Sequence, residues 1–402
     1  YEITTRLVGS EMCIRDRTWI MKTFGQQYFE KTAYVNFDNN ARMKQVFEGD
    51  LDIERLVLSI SAETGVSIEA ENTLIIFDEV QEVPKALTSL KYFYENAPQY
   101  AIVAAGSLLG VALHQGTSFP VGKVDFLDLY PLNFREFLCA MGEKQFVSML
   151  DSCDTQMVTV FKTKYIERLR EYYFVGGMPE VVKDFSEKKD YNRVRAIQKN
   201  LINYYQQDFS KHAEIKLVPR LNLVWNSIPM QLAKENKKYI YGQVREGSRA
   251  KDFELAIQWL LDCGLIHKVQ RIQKPDLPLK AYIDFDAFKL FLVDIGLLIA
   301  MTDLDAKVII EGNKIFTEFK GSLTEQYILQ QLISDVGVIP YYYSTQNSKG
   351  EIDFLVQGKT SVIPIEVKAE ENLKAKSLKA FCEKYQPSYA CLLYTSPSPR
   401  DA

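Results

Sequence analysis

Residues 73–79 read Thr-Leu-Ile-Ile-Phe-Asp-Glu, a run of four apolar side chains that ends in two adjacent acids. A continuous apolar run of this length is typical of a parallel strand that is buried on both faces. In an open α/β sheet, ligands bind at the carboxyl ends of the strands. The run therefore predicts a central strand that presents Asp78 and Glu79 at the ligand-binding edge of a sheet.

The segments around this run repeat the alternation of helix and strand. Residues 18–28 have helical spacing and lead into the strand-like run 33–37, and residues 52–61 have helical spacing before the run 73–79. Residues 100–105 form another apolar run, followed by Gly106 and the polar Ser107. Strands separated by helices indicate a parallel α/β layer with right-handed connections.

Asp78 and Glu79 suggest nucleotide hydrolysis. In P-loop enzymes the acid after the buried strand holds Mg²⁺, and a neighbouring carboxylate can polarise the attacking water. Thr18 is placed to offer a hydroxyl to the same Mg²⁺ at the start of a helix whose N-terminus binds phosphate. The alternatives are that the two acids, and Thr18 likewise, only cap helices. The Gly-rich loop with its lysine, which would decide between these interpretations, is not found before Thr18.

Both ends of the chain resemble translated adaptor DNA. Residues 6–17 read RLVGSEMCIRDR and residues 391–402 read CLLYTSPSPRDA. Written as codons, the two segments are opposite strands of one duplex that is similar to a transposase-type sequencing adaptor. We therefore expect residues 1–17 and 391–402 to be foreign to the native protein. The codon constraint at Arg17 permits a native lysine directly before Thr18, which would close a Gly-x-x-x-x-Gly-Lys-Thr loop.

Charge and cysteine content limit the class of protein. The formal net charge is -4, which gives no support for a general nucleic-acid coat but leaves room for a local basic patch. The cysteines outside the end segments lack C-x-x-C spacing, which is typical of a reducing compartment. No apolar run reaches membrane-spanning length, so we expect a soluble, cytoplasmic protein with no membrane partner. The pattern leaves the oligomeric state unknown.

The middle of the chain is helical and then strand-like. The helical pattern of residues 165–209 is broken at Val-Gly-Gly-Met-Pro-Glu (175–180), where we expect a packing role. A helix at 256–261 followed by strands at 264–270 and 288–293 suggests a winged-helix module, a common DNA-binding shape. Five basic residues between 234 and 249 can follow a phosphate backbone, but they alternate with acids, which favours an ordinary charged helix face. They are Lys234, Lys237, Lys238, Arg245 and Arg249.

Four charged residues in the last third suggest a metal-dependent site. Glu325 lies in an amphipathic helical pattern, Asp353 in a strand, and Glu366 and Lys368 alternate along the next strand. The spacing of Asp353 and Glu366 suits a hairpin. Glu325, Asp353 and Glu366 can then bind a divalent metal while Lys368 positions or activates a water. The alternative is a strand that carries Glu and Lys on its solvent face.

Several segments in this order resemble a large group of prokaryotic AAA-type ATP-binding proteins with an uncharacterised C-terminal region. They include TWIMKTFG (18–25), LIIFDEVQEVP (74–84), YYFVGGMPEVV (172–182) and GEIDFLV (350–356). The resemblance implies that Asp78 and Glu79 are the Walker B pair, that Ser107 is the sensor near the γ-phosphate, and that ATP and Mg²⁺ are the cofactors. The C-terminal constellation resembles the PD-(D/E)xK nuclease fold.

These observations predict an α/β protein in three parts. We expect a P-loop AAA-type ATPase domain at 18–160, a helical and winged-helix-like domain at 161–310, and a truncated restriction-endonuclease-like domain at 311–390. The first hypothesis is an ATP-binding and ATP-hydrolysing protein whose nucleotide state controls the C-terminal region. The alternatives are a Mg²⁺-dependent DNA endonuclease gated by ATP, and a non-catalytic regulatory or DNA-binding module that ATP switches.

Overall fold

The computed structural model describes residues 6–8, 14–106, 122–234, 237–311, 317–345, 350–368 and 375–394. The chain divides into two compact units, the first made of Tyr1–Tyr130 and Asp262–Leu265 and the second of Pro131–Leu261 and Ile266–Ala402. Within the described residues, none of the helices combines the length and the apolar character that a membrane span requires.

The first unit is built on a sheet with five described strands, which all run parallel. The strands are β1 (Arg6–Val8), β2 (Lys31–Asn36), β3 (Thr73–Asp78), β4 (Ala101–Ala105) and β5 (Asp125–Leu127), in the order β2-β3-β4-β1-β5. The helices are α1 (Ile14–Tyr28), α2 (Ala41–Glu48), α3 (Ile53–Thr64) and α4 (Pro84–Asn96). The parallel α/β layer predicted from the sequence is therefore confirmed.

Strand β3 lies inside this sheet, as its apolar run predicts. All six of its residues are buried, and its neighbours are β2 and β4. On one face, Phe37, Phe47 and Phe77 pack edge to face, with ring centroids 5.4–5.6 Å apart. Edge-to-face contacts stabilise aromatic clusters beyond the area that they bury. The register places Asn36 of β2 beside Asp78 of β3 at the carboxyl edge.

Local signals in the sequence define the helices of this unit. The side chain of Asp52 accepts a hydrogen bond of 2.9 Å from the backbone N–H of Arg55 at the start of α3. Gly65 ends α3 with φ = 69°, a left-handed conformation that glycine adopts without strain. Pro84 occupies the first turn of α4, where its missing N–H has no helical partner to lose.

The second unit contains a helical region and a mixed sheet. Its helices before the sheet are α5 (Phe134–Ala140), α6 (Lys144–Asp151), α7 (Thr155–Val160), α8 (Lys162–Val175), α9 (Pro179–Lys188), α10 (Tyr191–His212), α11 (Val218–Leu232), α12 (Tyr241–Val244) and α13 (Ala250–Asp262). The predicted break lies between α8 and α9. Gly177 N–H donates a hydrogen bond of 2.6 Å to Asp294, so the glycine pair packs against the following part of the unit.

The sheet of the second unit has six described strands. They are β6 (Ile266–Ile272), β7 (Ile283–Leu292), β8 (Tyr341–Ser344), β9 (Glu351–Gln357), β10 (Val362–Lys368) and β11 (Cys391–Tyr394), in the order β11-β10-β9-β8-β6-β7. Helices α14 (Ile295–Met301), α15 (Ala306–Ile310) and α16 (Thr317–Ser334) lie between β7 and β8, and α17 (Lys376–Tyr385) lies between β10 and β11.

The pairing within this sheet differs from two expectations. Strands β6 and β7 form the antiparallel hairpin expected of a wing, but β6 also pairs in parallel with β8, so the hairpin extends the C-terminal sheet. Strand β11 pairs in parallel with β10, although its residues belong to the segment that we expected to be foreign. Strands β9 and β10 are antiparallel, which confirms the predicted hairpin.

Candidate functional site

The Asp78 carboxylate is held at the carboxyl end of β3 by three hydrogen bonds. Its Oδ2 atom accepts a hydrogen bond of 2.5 Å from the Thr18 hydroxyl and another of 2.8 Å from the Tyr34 hydroxyl. Its Oδ1 atom accepts one of 3.1 Å from the backbone N–H of Glu79. The structure thus brings Thr18 and Asp78 into direct contact across 60 positions of sequence.

Tyr34 is part of this site although the sequence analysis did not select it. It lies on β2, beside β3, and the ammonium group of Lys22 lies 3.6 Å from the centre of its ring. Burial and the hydrogen bond to Asp78 raise the pKa of the Tyr34 phenol to about 12. The phenol therefore stays protonated at neutral pH and remains a hydrogen-bond donor to Asp78.

Glu79 follows Asp78 in a left-handed backbone conformation, with φ = 52° and ψ = 44°. Residues other than glycine adopt this region at a cost, and such residues are frequent at functional sites. The Gln81 side chain donates a hydrogen bond of 2.6 Å to Glu79 Oε2, and Arg17 Nη2 lies 3.7 Å from Glu79 Oε1. The Arg17 side chain is buried, so a cationic group occupies the position where we expect the native lysine.

Glu79 stands at the N-cap position of the short 3₁₀ helix Val80–Glu82, where its side chain makes no capping hydrogen bond. The interpretation that the two acids only cap a helix stays an alternative. Helix α1 begins at Ile14, so Thr18 lies inside the helix and not at its first position, which corrects the expected helix start. Ser107, the expected sensor, lies outside the described residues.

A polar pocket of about 590 Å³ adjoins this carboxyl edge. Its lining residues come from β2, from the segment that leads into α2, from the first turn of α2 and from α3. They include Tyr34, Asn36, Asn39, Arg42 and Glu63. Tyr34 lines this pocket and also donates a hydrogen bond to Asp78, and the amide and guanidinium groups of the pocket can contact a polar ligand.

The second unit brings together the four residues singled out near the C-terminus. Glu325 comes from α16, Asp353 from β9, and Glu366 and Lys368 from β10. Glu325 and Asp353 share a hydrogen bond. Asp353 Oδ2 accepts a hydrogen bond of 2.7 Å from the backbone N–H of Val367. Lys368 Nζ lies 2.6 Å from Glu366 Oε1.

Two lysines that the sequence analysis did not assign to this cluster complete it. Lys237 Nζ forms an ion pair with Glu325 Oε1. Lys289 Nζ, from the middle of β7, lies 3.5 Å from Glu325 Oε2 and 2.5 Å from Glu351 Oε1. Lys289 lies in the apolar run AFKLFLV (287–293). Its position in this run indicates a buried lysine with an acidic partner, because lysine is almost never buried unless it is paired.

Burial and mutual charge set the protonation of this cluster. Burial opposes ionisation of Glu325, but the ammonium groups of Lys237 and Lys289 outweigh it and lower the pKa of Glu325. Burial and the Glu325 charge raise the pKa of Asp353 well above its ordinary value. Burial also raises the pKa of Glu366, and Lys368 offsets part of that effect.

The alternative in which β10 carries Glu366 on a solvent face is wrong, because Glu366 is only 3% exposed. Across the described residues, no three side chains of His, Cys, Asp or Glu are grouped so that they can hold a metal ion. The carboxylates of the cluster contact lysines and one another, and they do not form an open oxygen cage of the kind that divalent cations require.

The basic residues on either side of α12 do not share one environment. Lys237 is directed into the cluster and its side chain is 14% exposed, so it cannot follow a phosphate backbone. Lys234, Arg245 and Arg249 are exposed, and their contact with a phosphate backbone stays a prediction.

His267 is buried in β6, where burial lowers its pKa to about 4.

Comparison with known proteins gives three family matches. Residues 17–138 match the family model of an AAA domain. Residues 166–308 and 320–400 match two domains of unknown function, DUF8612 and DUF4143. No curated protein matches the chain.

Solved structures also show similarity to the chain. The Walker-type ATPase PABY2304 of Pyrococcus abyssi has 13% sequence identity and a TM-score of 0.44, with 74% of this chain and 90% of that chain covered. The Drosophila ORC bound to DNA has 12% identity and a TM-score of 0.23, with 75% and 88% covered.

The family match covers α1, β2, β3 and β4 together with Thr18, Asp78 and Glu79. Four of the five described strands of the parallel sheet, β2 to β5, and the contact between Thr18 and Asp78 belong to this same segment. Residues 17–138 are therefore similar to an AAA domain in sequence, and the described part of this segment contains the candidate site.

Proposed function

We propose that this protein binds and hydrolyses ATP in its AAA domain, and that the nucleotide state controls its C-terminal region. The observation that carries the proposal is the hydrogen bond of 2.5 Å between the Thr18 hydroxyl and the Asp78 carboxylate, with Glu79 next to it. P-loop enzymes use this combination of hydroxyl, carboxylate and adjacent acid at the phosphate end of the sheet.

The oxygen donors of this site fit Mg²⁺. A hydroxyl and a carboxylate are hard ligands, and Mg²⁺ commonly binds through one or two carboxylates together with substrate phosphates. Thr18 and Asp78 would hold the ion, which would neutralise negative charge on the phosphates. Tyr34 and the backbone N–H of Glu79 orient the Asp78 carboxylate through the hydrogen bonds that they donate.

Glu79 is proposed to align and polarise the attacking water. Its left-handed backbone turns its side chain away from the direction that a continuing strand would give it. The hydrogen bond from Gln81 holds one carboxylate oxygen, and Arg17 Nη2 lies 3.7 Å from the other. We further propose that the native chain carries a Gly-rich loop ending in lysine before Thr18, and that Ser107 senses the γ-phosphate.

The test begins with the native gene across Thr18. Resequencing should reveal Gly-x-x-x-x-Gly-Lys before this threonine, and the protein with those residues should hydrolyse ATP in the presence of Mg²⁺. Glu79→Gln should lower turnover by about 10²–10⁴-fold, the usual contribution of a general base. Glu54→Gln on the exposed face of α3 is the matched control and should leave turnover unchanged. Equal turnover in both variants would refute the assignment of Glu79.

For the C-terminal region we propose a nuclease-like fold that serves as a binding module, with DNA as the candidate partner. In support, α16, β8, β9, β10, α17 and β11 follow one another in the chain, and β8–β11 are neighbours in one sheet. The candidate residues from α16, β9 and β10 converge. The lysines on Glu325 favour the non-catalytic alternative over the endonuclease, because they occupy carboxylate oxygens that a metal ion would need.

A further inference from the structure

The acidic cluster of the second unit, Glu325, Asp353 and Glu366, is paired with lysine side chains of the same unit. Lys237 and Lys289 both contact Glu325, one at each carboxylate oxygen. The side chains of Lys289 and Glu325 are 0% and 5% exposed. A buried carboxylate needs a cation beside it, and lysine ammonium groups supply that charge here without an added ion.

Both lysines are fixed by the surrounding fold. Lys289 stands in β7, a strand that pairs with β6 along most of its length, and its ammonium group lies 4.9 Å from the centre of the Tyr342 ring. Lys237 precedes Tyr239, whose backbone N–H donates a hydrogen bond of 2.8 Å to Phe288 O and whose ring stacks on Phe288. These contacts hold both ammonium groups against α16.

The remaining carboxylate oxygens offer little to a metal ion. Asp353 bonds the backbone of Val367 and the side chain of Glu325, and Glu366 Oε1 contacts Lys368. Glu366 Oε2 is buried without a hydrogen-bond partner. Among the described residues, Glu366 Oε2 is then the one oxygen of the three acids without a partner. Mg²⁺ and Mn²⁺ usually take six ligands, and one carboxylate oxygen with several waters does not complete such a set.

We infer that Lys237 and Lys289 stand in place of the divalent cation, so that the Glu325, Asp353 and Glu366 cluster is a metal-independent ion network and the C-terminal unit does not cut nucleic acid. Three ammonium groups, those of Lys237, Lys289 and Lys368, face the carboxylates of these three acids and of Glu351. If all four acids are counted as ionised, an added divalent ion would change the formal charge of this group from minus one to plus one; with Asp353 protonated the change would be from zero to plus two. The desolvation cost of such an ion would then lack a compensating charge.

The test is a titration of the purified full chain with Mn²⁺, in which calorimetry measures binding and thermal unfolding measures the melting temperature. Asp78→Asn is introduced into every sample so that Mn²⁺ does not bind at the AAA site. We expect no saturable Mn²⁺ binding and an unchanged melting temperature. In the same background, Lys289→Met should gain saturable Mn²⁺ binding, because it removes the competing cation and keeps most of the side-chain volume.

The result that would overturn the inference is Mn²⁺ binding at the acidic cluster. Saturable Mn²⁺ binding to the Asp78→Asn protein, lost when Glu366→Gln is added, would overturn the inference. If Lys289→Met does not fold, Lys237→Met, at a more exposed position, replaces it as the variant that should gain binding. Incubation of the full chain with supercoiled DNA and Mn²⁺ provides the second readout, for which we expect no nicking. Nicking that Lys368→Ala abolishes would also overturn the inference.

Discussion

The Thr18 hydroxyl donates a hydrogen bond of 2.5 Å to the Asp78 carboxylate. Thr18 lies in the second turn of α1 and Asp78 ends β3, so the fold of the first unit brings a helix and a central strand together at this point. Asp78 is 1% exposed, and a buried carboxylate needs such donors. The contact is therefore both a stabilising interaction and the proposed Mg²⁺ site.

Thr18→Val should destabilise the first unit and weaken its binding of Mg²⁺ with ATP. Valine keeps the branched shape of threonine but removes the donor, and hydrogen bonds to charged groups contribute about 1.5–3 kcal/mol. Urea unfolding should show a loss of that size. Thr23→Val, five residues further along α1, is the control and should cost less than the Thr18 change. Equal losses in the two variants would mean that the Asp78 bond contributes nothing.

Gly176→Ala should be strongly destabilising because of its surroundings. Gly176 has φ = 76° and ψ = -168°, a region open essentially only to glycine, and an added Cβ would lie 2.2 Å from Asp294 Oδ1. We expect a loss of more than about 3 kcal/mol, which is large for a point mutation.

The control for this change is Gly247→Ala. Gly247 has nearly the same φ, 77°, but nothing lies within 4 Å of a Cβ built there. It should cost only about 1–2 kcal/mol of backbone strain. Chemical denaturation of both variants measures the difference, and similar losses would show that contact with Asp294 is unimportant.

The sequence was most informative where burial is uniform. The run 73–79 predicts a buried parallel strand because apolar residues on both faces are needed only when both faces are covered, and β3 has this arrangement. The break at 175–180 likewise follows from local rules, since Gly176 ends α8 and Pro179 begins α9. Such signals depend on neighbours in the chain.

Contacts that depend on the pairing of distant segments were not predicted. The Tyr34 hydroxyl reaches Asp78 only because β2 and β3 are adjacent and in one register. The pairing of β6 with β8, which joins the expected wing to the C-terminal sheet, has no local signature. Lys237 was interpreted with its basic neighbours, and its partner Glu325 lies 88 positions away.

The stability of the second unit should depend on pH through His267. Burial lowers its pKa to about 4, below the ordinary value for histidine of about 6.5. The unfolded chain therefore takes up a proton as the pH falls below 6.5 while the folded chain does not, and folding loses stability until the pH approaches 4. Between pH 7 and 5 this loss amounts to roughly 2 kcal/mol.

His267→Leu isolates this contribution. The substitution has its own cost, which is fixed by packing, but it removes the titrating group. The free energy of unfolding should therefore fall less between pH 7 and 5 in the variant than in the parent, by roughly 2 kcal/mol. Denaturation curves at the two pH values give this difference directly. Parallel pH dependences would show that His267 is protonated in the folded protein.

Lys289→Met should destabilise the second unit, whereas Lys289→Met combined with Glu325→Gln should recover part of the loss. Removing one partner of a buried ion pair typically costs about 3–5 kcal/mol, because it leaves a charge without compensation. Neutralising Glu325 as well removes one of the carboxylates that Lys289 contacts. Lys280→Met, at an exposed position in the same unit, is the control for replacing lysine and should change stability by less than about 0.5 kcal/mol. Additive losses in the double variant would mean that the two residues are not coupled.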